Sequence, residues 1–307
     1  MTRSDLKIGL ALSAGGARGS ALTGAMKVLD REGIRPSVIT GSSIGSLVGG
    51  AHAAGIPLER IEQEWRETDA AKMLRSFFPT FPRVGLSSGH EVRKYLVALM
   101  GERKIEDLEI AYAAIGCDID NGDTVTLTSG SLPDAIRAST AIPGVFHPVR
   151  WDGRILVDGG LVEPLPVKAC RDLGAEFVIA IDISPRPQPT TSRVWETWNH
   201  LGEQVRALSH HPRIPDSLAG LLAQVGEDHD DRMRPMPGLY SILNQSLSIL
   251  QQEVLRQKLL LHPPDVLIRP DVKMSTMGYM QAGEGIDVGE ATAVAALPEI
   301  RKKLASL

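Results

Sequence analysis

The chain has 307 residues, 43% of them hydrophobic and 23% charged, with a net charge of −4. These are ordinary globular values, with room for one large α/β domain, alone or with an appended cap. The negative balance argues against a nucleic-acid footprint, the two cysteines against a disulfide framework, and no stretch reaches transmembrane length. Met1 to Leu6 does not read as a signal peptide, since a strand follows at once, and the expected location is cytoplasmic.

Lys7 to Ser13 reads as an apolar strand, followed by Ala14-Gly15-Gly16-Ala17-Arg18-Gly19 and a helix from about Ser20 to Arg31. Leu22, Ala25, Met26 and Leu29 share one face of that helix, and Gly33 is placed to end it in a left-handed cap. Glycines at a strand-to-helix junction leave backbone N–H groups bare, which suits an anion. Two ligands compete for them. A dinucleotide requires Gly-x-Gly-x-x-Gly and an acidic residue closing the next strand, but the first position is Ala14 and Val38-Ile39-Thr40 ends without a carboxylate. An oxyanion requires bare N–H groups beside a nucleophile, and a serine follows on the next strand. A plain tight turn is the third reading.

That serine is Ser43. Pro36 to Thr40 reads as a short buried strand, Gly41-Ser42-Ser43-Ile44-Gly45 as a tight turn, and Gly45 to Ala51 as a helix of small residues. Glycine two places on either side of a serine lets the backbone bend sharply and exposes the hydroxyl, as in a nucleophile elbow. Leu58, Ile61 and Trp65 mark the next helix. Phe77, Phe78 and Phe81 fall in a proline-interrupted segment flanked by Arg75 and Arg83. It reads either as a plug on the core or as a lip against an anionic membrane surface. Ser88 and Glu91 make a capping box for a helix whose apolar face is Val92, Leu96 and Leu99.

Ala111 to Ile119 and Thr124 to Thr128 form a hairpin across Asn121-Gly122, and Asp134 to Ala138 is a short helix. Trp151-Asp152-Gly153-Arg154 is a hairpin turn, after which Ile155-Leu156-Val157 delivers Asp158 to a strand end followed by Gly159 and Gly160. Alone, Asp-Gly-Gly is a turn former. Pro166 to Leu173 is a helix stopped by Gly174, and Glu176 to Ile183 returns as a strand. Cys117 and Cys170 read as buried thiols. No histidine is placed to complete a triad: His52 is inside the helix after the elbow, His90 in a helix N-terminal turn, and His147 in a loop before Pro148. His200, His210, His211, His229 and His262 lie in a polar C-terminal half.

Composition changes after Ser184. Pro185 to Pro189 is a stiff spacer, Val194, Trp198, Leu201, Val205 and Leu208 recur at helical spacing, and Glu227 to Asp231 is an acidic loop without an ordered metal-ligand pattern. Leu239 to Leu261 reads as a long helix with Leu243, Leu247, Leu250 and Val254 on one stripe, Asp265 to Arg269 as a strand, and Glu290 as the start of a terminal helix. The expected division is an α/β catalytic domain at 7–183, a helical insertion or cap at 184–264 that could also be a dimer surface, and a strand and helix at 265–307 rejoining the main domain. Alternating strands and helices predict a three-layer α/β/α sandwich around a mainly parallel sheet.

Four blocks then stand in order: Gly-Gly-Ala-Arg-Gly after the first strand, Gly-Ser-Ser-Ile-Gly after the second, Ala138 to Phe146, and Asp158-Gly159-Gly160. Together, over about residues 8 to 183, they resemble the patatin-like phospholipase family. The resemblance implies a Ser–Asp dyad, with Ser43 as nucleophile and Asp158 as base. It also implies an oxyanion hole around Gly15, Gly16, Ala17, Arg18 and Gly19, an elbow framed by Gly41 and Gly45, and Ser139 to Pro143 packed beside the site. The implied activity is hydrolysis of lipid acyl esters through an acyl-enzyme, with no cofactor and no metal. The implied partners are a lipid or ester substrate and, peripherally, a membrane surface; a homo-oligomer stays open. The chain departs from the family at Ala14, where members usually carry glycine, and the added methyl bears on catalytic strength more than on reaction type. The alternative is a regulatory or scaffold protein that keeps the fold, and a dinucleotide-binding oxidoreductase comes third.

Overall fold

A computed structural model describes residues 6–67, 89–184, 239–274 and 278–307, with the backbone alone at 239–241, 243 and 244. Strands that are apolar on both faces call for a parallel sheet covered by helices on either side. β1 (Ile8–Leu12), β2 (Val38–Ser42), β3 (Ala111–Asp118), β7 (Phe177–Ile181) and β8 (Val266–Ile268) make that sheet, each adjacent pair parallel. β4 (Thr124–Leu127), β5 (Val149–Trp151) and β6 (Arg154–Asp158) extend it with antiparallel pairings. Hydrogen-bonded neighbours run β5-β6-β3-β2-β1-β7-β8, with β4 also on β3.

The helices are α1 (Gly19–Arg31), α2 (Ile44–Ala53), α3 (Leu58–Arg66), α4 (His90–Met100), α5 (Leu132–Ser139), α6 (Val167–Asp172), α7 (Leu239–Leu261) and α8 (Ala282–Ala305). Side chains alternate across the sheet, so β1 sends Leu10 and Leu12 into one core and Ala11 into the other. The larger core gathers Leu22 and Met26 of α1, Val48 of α2, Ile136 of α5 and Ile286 of α8. The smaller one closes Ala11, Val178 and Ala180 under Val167 and Cys170 of α6 and Leu255 of α7. This is the expected α/β/α layering.

The register of β3 fixes where the strand ends meet. Ala114 and Ile115 pair with Gly41 and Ser42 of β2 and also with Leu127 and Thr126 of β4. A strand residue has one neighbour on each side, so β2 and β4 flank opposite edges. Gly116 and Cys117 pair with Val125 and Thr124 of β4 and also with Asp158 and Val157 of β6. β6 therefore lies on the same edge as β2. Since β2 is parallel and β6 antiparallel to β3, their C-terminal ends meet head-on between Ile115 and Gly116.

The chain divides into two compact units, residues 1–185 with 249–307, and residues 186–248. Of the second, the described part is 239–248, the opening turns of α7. In the first, β8 pairs with β7 at the edge of the sheet, and α8 lies against α1. Glycines make that crossing close: a Cβ on Gly24 would come within 2.1 Å of the Ile286 carbonyl oxygen, and one on Gly289 within 2.1 Å of the Ala21 carbonyl oxygen. Lys27 of α1 ties the layer together with Glu62 of α3 at 2.5 Å and Glu290 of α8 at 2.6 Å.

Several expectations need correction. α8 begins at Ala282, not Glu290, because Gly285 and Gly289, poor helix formers alone, are fixed by contact with α1. β2 runs two residues later than expected, Val38–Ser42, because its pairing with β1 and β3 continues to the elbow. α4 starts after Gly89, at φ 71°, and the expected capping box rests on Ser88, which lies outside the described residues. α7 has the expected bounds but a different buried face: Leu250 is 65% exposed and Leu255 4%. Phe77, Phe78, Phe81, the 194–208 pattern and the 227–231 loop lie outside the described residues.

Gly289→Ala is expected to cost about 1–3 kcal/mol by forcing α8 off α1, read as a lower urea midpoint with an unchanged slope.

Candidate active site

β2 cannot continue past Ser42, because Asp158 of β6 already occupies the place opposite Gly116. The chain leaves the sheet at Ser43, whose φ of 53° and ψ of −124° are unusual for a non-glycine residue. Such a conformation costs about 1–3 kcal/mol and persists only where its surroundings impose it. Here the Ser43 N–H donates to Ser139 Oγ at 3.0 Å, and Ser46 Oγ donates to the Ser43 carbonyl at 2.6 Å. Tyr112, fully buried, donates its hydroxyl to the Ser46 carbonyl at 2.7 Å. Glycines clear the way: a Cβ on Gly41 would meet the Gly45 backbone at 2.4 Å, and one on Gly45 the Leu12 carbonyl oxygen at 2.3 Å.

Asp158 caps the end of β6, its N–H bound to the Ala141 carbonyl at 3.0 Å. Its two oxygens do different jobs. Oδ1 accepts from the Gly160 N–H at 2.8 Å, and Oδ2 accepts from Ser43 Oγ at 2.6 Å. Burial raises the carboxyl to about 6, while the bonds from Ser43 and Gly160 hold it down against that rise. A Cβ on Gly159 would strike the Ile115 carbonyl oxygen at 2.1 Å, so only glycine lets the chain cross the edge of β3 there. The Asp-Gly-Gly turn is thus fixed by space as much as by turn propensity.

The loop after β1 is clipped on both sides. Ser13 N–H donates to the Ile181 carbonyl at 3.1 Å, Ala14 N–H to the Pro164 carbonyl at 2.9 Å, and Ile183 N–H to Ser13 Oγ at 2.8 Å. A Cβ on Gly15 would lie 2.8 Å from the Ile183 carbonyl oxygen, and Gly16 has φ 60°. Among the described residues, the N–H groups of Gly15 and Gly16 meet no acceptor. Ala17 is fully buried, and a Cβ on Gly19 would hit Ile44 at 2.4 Å, so the loop runs close behind the elbow. The buried Arg18 side chain donates from Nε to the Met274 carbonyl at 2.9 Å, and burial pushes its guanidinium pKa down.

The structure therefore gathers the 14–19 loop, the Ser43 elbow and Asp158 with its glycines, all named from the sequence. The Ala14 methyl abuts the Asp158 turn, 3.0 Å from where a Gly160 Cβ would stand. Among the described residues no histidine bonds Ser43; His52 is half-buried in α2, with its pKa lowered by burial. No three His, Cys, Asp or Glu side chains converge as metal ligands among the described residues. Sequence reasoning missed the individual part of Ser139, known only as one member of a block packed beside the site.

A sequence profile described as patatin-like phospholipase matches residues 10–171. The chain belongs to the patatin-like phospholipase family. An uncharacterized NTE family protein from Mycobacterium tuberculosis is 30% identical over 96% of this chain and 92% of its own. Lysophospholipase NTE1 of Scheffersomyces stipitis is 31% identical over 70% of this chain and 14% of its own length. Patatin-like phospholipase domain-containing protein 7 of Rattus norvegicus is 32% identical over 66% and 16%. The crystal structure of VipD from Legionella pneumophila gives a TM-score of 0.47 at 12% identity, covering 96% of this chain and 67% of that one. Among the described residues no helix of this patatin-like chain is long and apolar enough to cross a membrane.

Removing the acceptor of the Ser43 N–H leaves a buried donor unpaired, so Ser139→Ala is expected to lower stability by about 1–3 kcal/mol, measured by chemical denaturation.

Proposed function

We propose that the protein hydrolyses acyl esters of lipids through an acyl-enzyme, with Ser43 as nucleophile and Asp158 as its base. The observation that carries this reading is the 2.6 Å hydrogen bond from Ser43 Oγ to a buried carboxylate. It is made at a strained elbow beside N–H groups that meet no acceptor among the described residues. Relatives named as a lysophospholipase and a patatin-like phospholipase domain-containing protein support the substrate class.

A serine hydroxyl is a poor nucleophile until a base holds its proton. Desolvation makes Asp158 a stronger base than an exposed aspartate while leaving it ionised near neutral pH. Ser43 Oγ attacks the ester carbonyl carbon as its proton passes to Asp158 Oδ2. The carbonyl oxygen gains the negative charge and is received by the N–H groups of Gly15 and Gly16, with the start of α2 behind Ser43 adding its positive end. The C–O bond to the alcohol breaks, and Asp158 returns the proton to the leaving oxygen. Water then attacks the acyl-enzyme, gives its proton to Asp158, and releases the carboxylic acid with Ser43 restored. The donors around Gly15 and Gly16 are asked for about 3 kcal/mol each, the usual cost of losing one. Peripheral contact with a membrane surface belongs to the same reading.

Two measurements test it. A fluorophosphonate probe should label Ser43 in the wild type and nothing in Ser43→Ala. Ser43→Ala and Asp158→Asn should each abolish turnover, and the double variant should be no worse than either single one, as expected of groups that act as a unit. A folded protein that hydrolyses no acyl ester and takes no label would instead favour a scaffold that keeps the fold.

The pH dependence follows from the sign of the shift. The base must be ionised, so activity is present above its pKa and lost as pH falls through it. The acid limb of kcat/KM is expected near pH 6, set by Asp158, whereas an unshifted aspartate would place it near 4.

A further inference from the structure

α7 lies outside the residues that match the family profile, yet one of its faces is fixed to the Asp158 turn. Lys258 pairs with the buried carboxylate of Glu163 at 2.5 Å, and Glu163 N–H in turn bonds the Gly159 carbonyl at 2.9 Å. Leu255, about one turn earlier, is buried in the smaller core with Leu165 and Val167. One further turn along the same face stands Gln251. Its amide nitrogen lies 3.1 Å from the point where a Cβ on Gly160 would stand; Asp158 Oδ1 and the Ala14 methyl are each 3.0 Å from that same point. Among the described residues, no hydrogen bond occupies the Gln251 amide, and the side chain is half-buried. A glutamine held by two anchored turns of helix, with donor and acceptor both free beside the buried carboxylate, is placed to meet a ligand.

Its position indicates which part of a ligand. Asp158 must hand its proton to the oxygen of the departing alcohol, so that alcohol passes beside Asp158, while the acyl chain leads away from the carbonyl carbon. A carboxamide offers one donor group and one acceptor, which complements a hydroxyl, itself donor and acceptor. We infer that Gln251 is a specificity-determining residue that reads a free hydroxyl on the alcohol portion of the substrate, selecting monoacyl glycerol-type esters over esters in which that hydroxyl is absent or acylated. The inference rests on the proposed hydrolase reading.

The test compares kcat/KM of wild type, Gln251→Leu and Gln251→Glu on three esters. They are a monoacyl glycerophosphocholine, its analogue with the neighbouring hydroxyl replaced by hydrogen, and p-nitrophenyl butyrate. The expected result is about a tenfold loss in Gln251→Leu on the hydroxyl-bearing ester alone, the scale of one neutral hydrogen bond. The deoxy and p-nitrophenyl esters should be cleaved at wild-type rates by that variant, with melting temperature unchanged. Gln251→Glu keeps an acceptor and is expected to retain more of the preference than Gln251→Leu. Equal losses on all three esters, or no loss on any, would overturn the role of Gln251 while the hydrolase reading stands. A wild type that cleaves none of the three would overturn both.

Discussion

The site depends on two strand ends competing for one place along β3. β2 and β6 run toward each other on the same edge, and Asp158 takes the position opposite Gly116 that β2 would fill next. The elbow at Ser43 is the outcome: with the sheet blocked, the chain must turn out, and it does so at a positive φ. The same collision brings the serine hydroxyl within 2.6 Å of the carboxylate. The geometry of the Ser43–Asp158 contact is therefore set by backbone pairing, the most rigid constraint available, and needs no long side chain to reach across a cleft.

That arrangement also lets the serine and the carboxylate meet with no histidine between them. A shared strand edge lets a short side chain contact the hydroxyl directly, and the surrounding core withholds water from the carboxylate. Each glycine in the motifs has a separate task. Gly41 lets the elbow fold back on its own turn at Gly45, Gly45 lets it pass beside β1 at Leu12, Gly159 lets the chain pass over β3, and Gly15 clears the Ile183 carbonyl. In all four the reason is close approach of backbone.

Much of this was legible in the sequence because local signals and tertiary demands agreed. The alternation of apolar strands and helices gave the layers, and the two glycine-flanked turns located Ser43 and the loop before α1. Where they disagreed, local reading failed. The start of α8 carries glycines that look like helix breakers and are instead the contact surface for α1. The exposed leucine of α7, Leu250, fits a helical stripe as well as buried Leu255 does, since spacing reports a face without saying which one meets the sheet. Ser139 left no individual signature, because a serine in a helix becomes part of a site only when the fold brings it there.

The late position of β8 and α8 in the chain has a consequence during synthesis. β7, Phe177–Ile181, is buried along its length, and one of its edges is covered by Val266–Ile268. The side of α1 notched at Gly24 likewise meets its cover in Ala282–Ala305. While the ribosome is still making residues 186–248, the first six strands and β7 can already pair, but an apolar strand edge and a notched helix face stand open to solvent. Unpaired edges of that composition recruit other chains. The nascent protein is therefore expected to be most prone to aggregation in that interval, and most dependent on chaperones, before its own C-terminal segment arrives to close the sheet.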